Sequence, residues 1–291
     1  MPYLYLILAV FMSSSSSIFG KIFNRQNSGK KDANVLYNFI LMISVFLGWG
    51  VTCLIKFSFD AGVLIYSALF GICFVAGFLG MINALKYGPA ILTALLVSLS
   101  SILVTIWGFI FWNSKINATV IIGLIFAIAC IFLCLYNKNG KENKEDKISL
   151  KWLFYVILAF LGNAGCLIVQ RTEQINYNGQ HGNMLMLFAT GFATIIYLFI
   201  FLKSKKTDFL SIIKTSCHVP ILAGVCNVLS NALNILMVST TLSPNLIYPV
   251  IGTGGLSVVT IFSLFVFKEK MRWWQWIGIL FGILAVTLLS L

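Results

Sequence analysis

The sequence predicts an all-α integral membrane protein, with ten transmembrane helices arranged as two inverted five-helix repeats. Three observations carry that prediction. Ten apolar runs are each about long enough to cross a bilayer. The basic residues fall almost entirely in every second connection. The two halves of the chain share one pattern of Pro, Lys and Gly.

A bilayer-spanning helix needs about 20 mainly apolar residues. Such runs lie at roughly 2–20, 34–56, 61–85, 89–112, 117–136, 151–170, 182–202, 219–240, 245–267 and 273–290. Hydrophobic residues make up 59% of the chain and charged residues 10%, where a soluble domain carries about 25% charged. The mean hydropathy of +0.97 leaves no material for the polar faces of a soluble bundle. The first run has no charged residue before Tyr3 and no clean small-x-small site after it, and Lys21 and Arg25 follow. It reads as an uncleaved helix, not a signal peptide.

A net charge of +12 raises the question of nucleic acid, but the placement of the charges answers it differently. Seventeen of the 20 basic residues lie in odd-numbered connections, including Lys21, Arg25, Lys86, Lys138–Lys151, Lys203–Lys214, Lys268, Lys270 and Arg272. Only Lys56, Lys115 and Arg171 lie in even ones. Basic short loops mark the cytoplasmic face. The odd connections are therefore expected inside and both termini outside, in a multi-pass protein of the cytoplasmic membrane.

The polar linker divides the chain into a first repeat (1–136), a charged cytoplasmic linker (137–150) and a second repeat (151–291). Shifted by 155 residues, Pro89 meets Pro244, Lys115 meets Lys270 and Gly123 meets Gly278. Shifted by 150, Tyr5 meets Tyr155 and Lys21 meets Arg171. With five helices per half, the second half enters the membrane from the opposite side. Inverted repeats of this kind characterise transporters, with a site near the midplane between the halves and access that alternates.

The polar residues inside the runs are the candidate site. In "CNVLSNALNILMV", Asn227, Asn231 and Asn234 recur at helical spacing and share a wedge of about 60°. A lipid-facing amide has no hydrogen-bond partner. A single Asn would read as interhelical glue contributing roughly 0.6–2 kcal/mol, whereas three in one row point to a wet cavity. Ser98, Ser101 and Thr105 share a face of the fourth run, as Thr253, Ser257 and Thr260 do in the ninth, and Ser98 meets Thr253 under the 155 shift. Back-bonding to the preceding turn accounts for some of these hydroxyls. Asn163, Tyr248 and Ser13, which aligns with Asn163, complete the set. The expected substrate-binding residues are thus Asn227, Asn231, Asn234, Asn163, Ser98, Ser101, Tyr248, Thr253 and Ser13. Gly278 and Gly282, with Gly123 and Ala127, read instead as close-packing positions.

No catalytic residue is expected, because HExxH, GxSxG and paired acids within a helix core are missing. The seven cysteines form no CxxC pair, so neither a metal nor a cofactor is expected. No basic residue sits in the middle of a run, which argues against an anionic substrate. No acid does either, so no proton-coupling carboxylate is expected, and Glu173 and Glu269 read as solvated helix ends. The expectation is a secondary transporter, an exporter or exchanger, of small neutral or zwitterionic metabolites such as amino acids. A non-transporting sensor or scaffold subunit and a channel are the alternatives. The expected partners are a small-molecule substrate and the lipid bilayer, not nucleic acid. The expected unit is a monomer, with a dimer as the other option.

The segment "LSPNLIYPVIGTGGLSVVTIFSLFVFKEKMRWWQWIGILFGILAVTLL" resembles the closing pattern of the EamA-type transporters of the drug/metabolite transporter superfamily. There, a helix opening at Pro ends in an acidic-basic pair, and a Gly-containing final helix follows. Pro244, Glu269-Lys270 and Gly278 occupy those places. In the first half Pro89, Lys115 and Gly123 do, with Ser114 where the acid belongs. The resemblance implies ten helices and movement of small metabolites or drugs. Many members are placed with both termini in the cytoplasm, whereas the loop charges here point the other way.

Overall fold

The computed structural model describes residues 2–30, 32–55, 57–112, 117–135, 149–204, 208–238, 244–269 and 271–289. Among them are twelve α-helices and no strand: α1 (Pro2–Gln26), α2 (Ala33–Ile55), α3 (Val63–Tyr87), α4 (Ala90–Ser98), α5 (Ser101–Phe111), α6 (Ala118–Leu135), α7 (Leu150–Tyr177), α8 (Gly182–Lys203), α9 (Phe209–Ser216), α10 (His218–Val238), α11 (Pro244–Phe265) and α12 (Trp273–Leu289).

Twelve helices replace the ten expected for two local reasons. The fourth run breaks at Leu99–Ser100, where the Ser100 N–H bonds to Val97 O and the Ile102 N–H to Leu99 O. These i→i−3 bonds tighten the chain into a different turn. Ahead of the eighth run, α9 forms a short helix of its own, bent by 62° from α10. Other boundaries follow from capping. Ser149 accepts the Trp152 N–H at 3.1 Å and so starts α7. Pro89 opens α4 from an extended conformation, with φ −72° and ψ 139°. Asn178 ends α7 in the left-handed region at φ 52°.

Six of these segments are long and apolar enough to cross a membrane: α1, α2, α3, α4 with α5, α7 and α8. The bent pair α9–α10 is a seventh, and α6, α11 and α12 contribute shorter apolar stretches. The outer surfaces match that reading. Leu54 and Ile55 on α2, and Ile221, Leu222, Val225, Leu229 and Leu236 on α10, are exposed apolar side chains. Such a belt is unfavourable in water and natural in hydrocarbon.

The dominant helix pairings cross between the halves of the chain: α3 with α7, α6 with α12, α1 with α10 and α2 with α8. The core therefore lies between the halves. At the α3–α7 crossing the backbones touch. A Cβ at Gly162 would collide with the Gly77 backbone and come within 2.7 Å of Cys73 O, so only glycine fits there. The close-packing role read for Ala127 and Gly282 also appears in the structure. Ala127 is fully buried, the Phe126 and Phe281 rings meet at 5.1 Å, and Gly282 lies beneath Leu95 and Cys130.

The described parts of the first, third, seventh and ninth connections meet at one end of the bundle. Lys30 Nζ lies 3.2 Å from Ser211 Oγ, Arg25 donates to Phe267 O at 2.6 Å, and Lys21 donates to Gly88 O at 2.7 Å. The opposite end joins the segment before α3 to that before α8, where Ser58 Oγ donates to Gln180 O at 3.0 Å. Lys21, Arg25 and Lys30 thus lie at one end of the fold, whereas Lys138, Lys141, Lys144 and Lys147 lie outside the described residues.

Candidate functional site

The amide row is built by α10. On one side of this helix, Gly224 rests against Ser44 and Leu41 of α2, and Val228 against Gly48. On the other, Ala223 and Ser230 are buried, and Leu233 packs with Leu6 and Ala9 of α1. The lipid-facing stripe runs along the opposite arc. Asn227 and Asn231 lie between the two packed sides, on the inward arc, yet both keep intermediate exposure. An inward residue flanked by buried neighbours stays accessible only where the interior leaves space beside it. The Asn231 amide donates to Asn227 O at 2.9 Å and reaches Asn227 Oδ1 at 3.4 Å, so the two carboxamides act as one polar group.

Two further junctions lie at similar depth, each close to the middle of its helix. Asn163 on α7 donates to Ser100 Oγ at 2.7 Å, in the break between α4 and α5. Ser13 on α1 sits over Gly255 of α11, where an added Cβ would be 3.0 Å from its hydroxyl. These junctions are counterparts: the 150 shift relates Ser13 to Asn163, and the 155 shift relates Ser100 to Gly255. Ser13 Oγ also donates to Val10 O at 2.9 Å, and Ser98 Oγ to Leu95 O at 2.7 Å. Back-bonding therefore engages both hydroxyls. The side chains of Asn234, Ser101, Tyr248 and Thr253 lie outside the described residues.

Ser100 was missed by sequence reasoning, which chose its neighbours Ser98 and Ser101. It is fully buried, and its signal was its position at the helix break. Also missed were Asn34, whose amide donates to Asn83 Oδ1 at 2.9 Å, and buried Asn38 and Tyr37 on α2. These lie at the start of a run, where polar residues look like a loop.

The end acids require correction. Glu269 is not a solvated helix end. Its carboxylate accepts the Ala90 N–H at 2.8 and 3.1 Å and the Ile91 N–H at 3.3 Å, and Lys21 Nζ lies 3.5 Å away. With side-chain exposure of 10% for Glu269 and 15% for Lys21, the pair is largely withdrawn from water. The orphan amides at the N-terminus of α4 attract an anion, and that pull brings Glu269 in from the loop after α11. Arg25 stacks on the Phe267 ring at 4.8 Å in the same cluster. These contacts tie α1, α4 and the segment after α11 together at one end of the bundle. Glu173 is not solvated either: it is fully buried.

This arrangement defines a multi-pass helical membrane protein with a polar layer at mid-depth. Residues 1–136 match the model of the EamA-like transporter family. The match covers the first half of the chain and suggests a membrane transporter. The chain is 22% identical over 294 residues to an uncharacterized protein of Haemophilus influenzae, covering 97% of this chain and 95% of that one. A crystal structure superposes with a TM-score of 0.56 at 10% identity, covering 96% of this chain and 95% of that chain. The likeness concerns the fold.

Proposed function

We propose that the protein is a secondary transporter of small neutral or zwitterionic metabolites, such as amino acids, working as an exporter or exchanger by alternating access in the cell membrane. The observation that carries this is the inward yet accessible placement of Asn227 and Asn231. Amides held in a low-dielectric layer offset the dehydration of a polar solute. No basic residue stands in the middle of a run to meet an anion.

The pairings across the halves support ten spans in two inverted repeats, 1–136 and 151–291 joined by 137–150. The pairing of α1 with α10 has its counterpart in α7 with α3, and that of α1 with α11 in α7 with α4. The remaining site members are Asn163, Ser98, Ser13 and, from the sequence, Asn234, Ser101, Tyr248 and Thr253. Both termini outside is the orientation the loop charges favour. The tie at Glu269 favours a carrier closed at one end over an open channel.

The test is counterflow in proteoliposomes with a labelled amino-acid pool. Asn231→Leu removes the amide while keeping its volume. Its uptake should fall to the background of empty vesicles while its melting temperature stays near that of the parent. Normal uptake by this variant would refute the site.

A further inference from the structure

Glu173 is fully buried, and neither carboxyl oxygen has a hydrogen-bond partner among the described residues. It lies one turn before the end of α7, beside the start of α3 and the head of α8. The apolar cluster of Val63, Met184 and Leu185 fills this junction, with Tyr66 and Tyr177 against it. Its helix neighbours Arg171, Ile175 and Asn176 are exposed, so the turn of α7 carries Glu173 inward and these residues outward.

A carboxylate without partners is very unfavourable away from water, several kcal/mol at least after relaxation. A neutral carboxylic acid avoids most of that penalty. Among the described residues, His181 bears on Glu173 electrostatically, but no group forms an ion pair with it. His181, at the head of α8, directs Nδ1 to Ser58, 2.9 Å from Oγ and 3.1 Å from O. Its ring packs edge-on to Tyr177 at 5.6 Å. Tyr66 on α3 accepts from Asn176 at 2.7 Å, and Asp60, before α3, accepts the Gly62 N–H at 2.8 Å. Arg171 is on the exposed side of α7.

We propose that Glu173 is a proton-binding site whose occupancy is tied to closure of the α3–α7–α8 junction. Closed, the junction holds the carboxyl as a neutral acid. When α3 parts from α7 and α8, water enters, the O–H bond breaks, the proton passes to water and a hydrated carboxylate remains. On the transporter reading above, the proton is then the coupling ion. The binding of the proton itself is independent of that reading.

The experiment is thermal unfolding of the full-length protein in lipid nanodiscs, from mildly acidic to mildly alkaline pH, for the parent and Glu173→Gln. The sign follows from linkage. The folded protein holds a proton that the unfolded chain gives up, so parental stability falls as pH rises. Glutamine, the neutral acid's isostere, has no proton to lose. The melting temperature of the parent should fall relative to the variant by roughly 2–4 °C per pH unit across the titrating range. Parallel curves overturn the proposal. So does a glutamine variant that fails to fold, because that would mean the site needs the charge. Counterflow failure would leave this result untouched, and parallel curves would leave the transporter reading untouched.

Discussion

Removing the Glu269 carboxylate is the sharpest test of how one end of the protein is closed. The carboxylate receives two α4 amides and faces the Lys21 ammonium. A hydrogen bond to a charged group contributes roughly 1.5–3 kcal/mol, and a lost N-cap alone costs about 1 kcal/mol. The contact at Ile91 is long, and Lys21 keeps its bond to Gly88 O. We therefore take about 2–4 kcal/mol for Glu269→Ala. At about 1.4 kcal/mol per factor of ten, opening of this end should become roughly 30- to 700-fold more frequent. Glu269→Gln keeps an acceptor oxygen without the charge and should show about half the energetic effect. Hydrogen–deuterium exchange of the protein in nanodiscs reads this at the Ala90 and Ile91 amides, with peptides from α8 as the internal control. In a Lys21→Met background the effect should shrink, because the ion-pair share is already gone. Unchanged exchange at Ala90 and Ile91 in Glu269→Ala would refute the closure argument.

The other perturbations concern packing at mid-depth. Gly162→Val forces side-chain atoms into the Gly77 backbone, where overpacking costs roughly 1–3 kcal/mol or more. Its melting temperature should drop well below that of Gly182→Ala, whose added Cβ meets nothing within 4 Å, and equal melting would contradict the backbone contact. Ser100→Ala strands the Asn163 amide and should cost about 1–3 kcal/mol by denaturant unfolding. Adding Asn163→Leu should recover part of that loss, a coupling that a double-mutant cycle measures.

How much of this was legible in the sequence depends on the physics behind each feature. The six long apolar spans were readable because bilayer thickness imposes a length on an apolar run. The inward direction of Asn227 and Asn231 was readable because hydrocarbon leaves a carboxamide no alternative. The partners were not readable. Asn163 meets Ser100, which lies where i→i−3 bonds tighten the turn between α4 and α5. No periodicity rule predicts that turn. The fates of Glu173 and Glu269 were misread for one reason. Proximity to a helix end was equated with solvation, whereas one acid is drawn onto a helix N-terminus from another part of the chain and the other is covered by α3 and α8.

Those two acids lie at opposite ends of the bundle, and the repeat pattern explains why the ends differ. Glu269 binds the α4 N-terminus next to Pro89. The 155 shift relates it to Ser114 and relates Pro89 to Pro244. On the inverted-repeat reading, the matching tie at the other end would join position 114 to the start of α11. Serine can offer only neutral hydrogen bonds there, about half as strong as charge-assisted ones. On that reading the end carrying Glu173 would rely more on the apolar packing of Val63, Met184 and Leu185 around a buried acid. Closure by packing can be reversed by a single proton, whereas closure by a capped ion pair must be broken by movement of the helices themselves. On the transporter reading proposed above, two unequal locks would let one end respond to pH while the other responds to the bound solute, a division of labour that a symmetric pair of repeats could not provide.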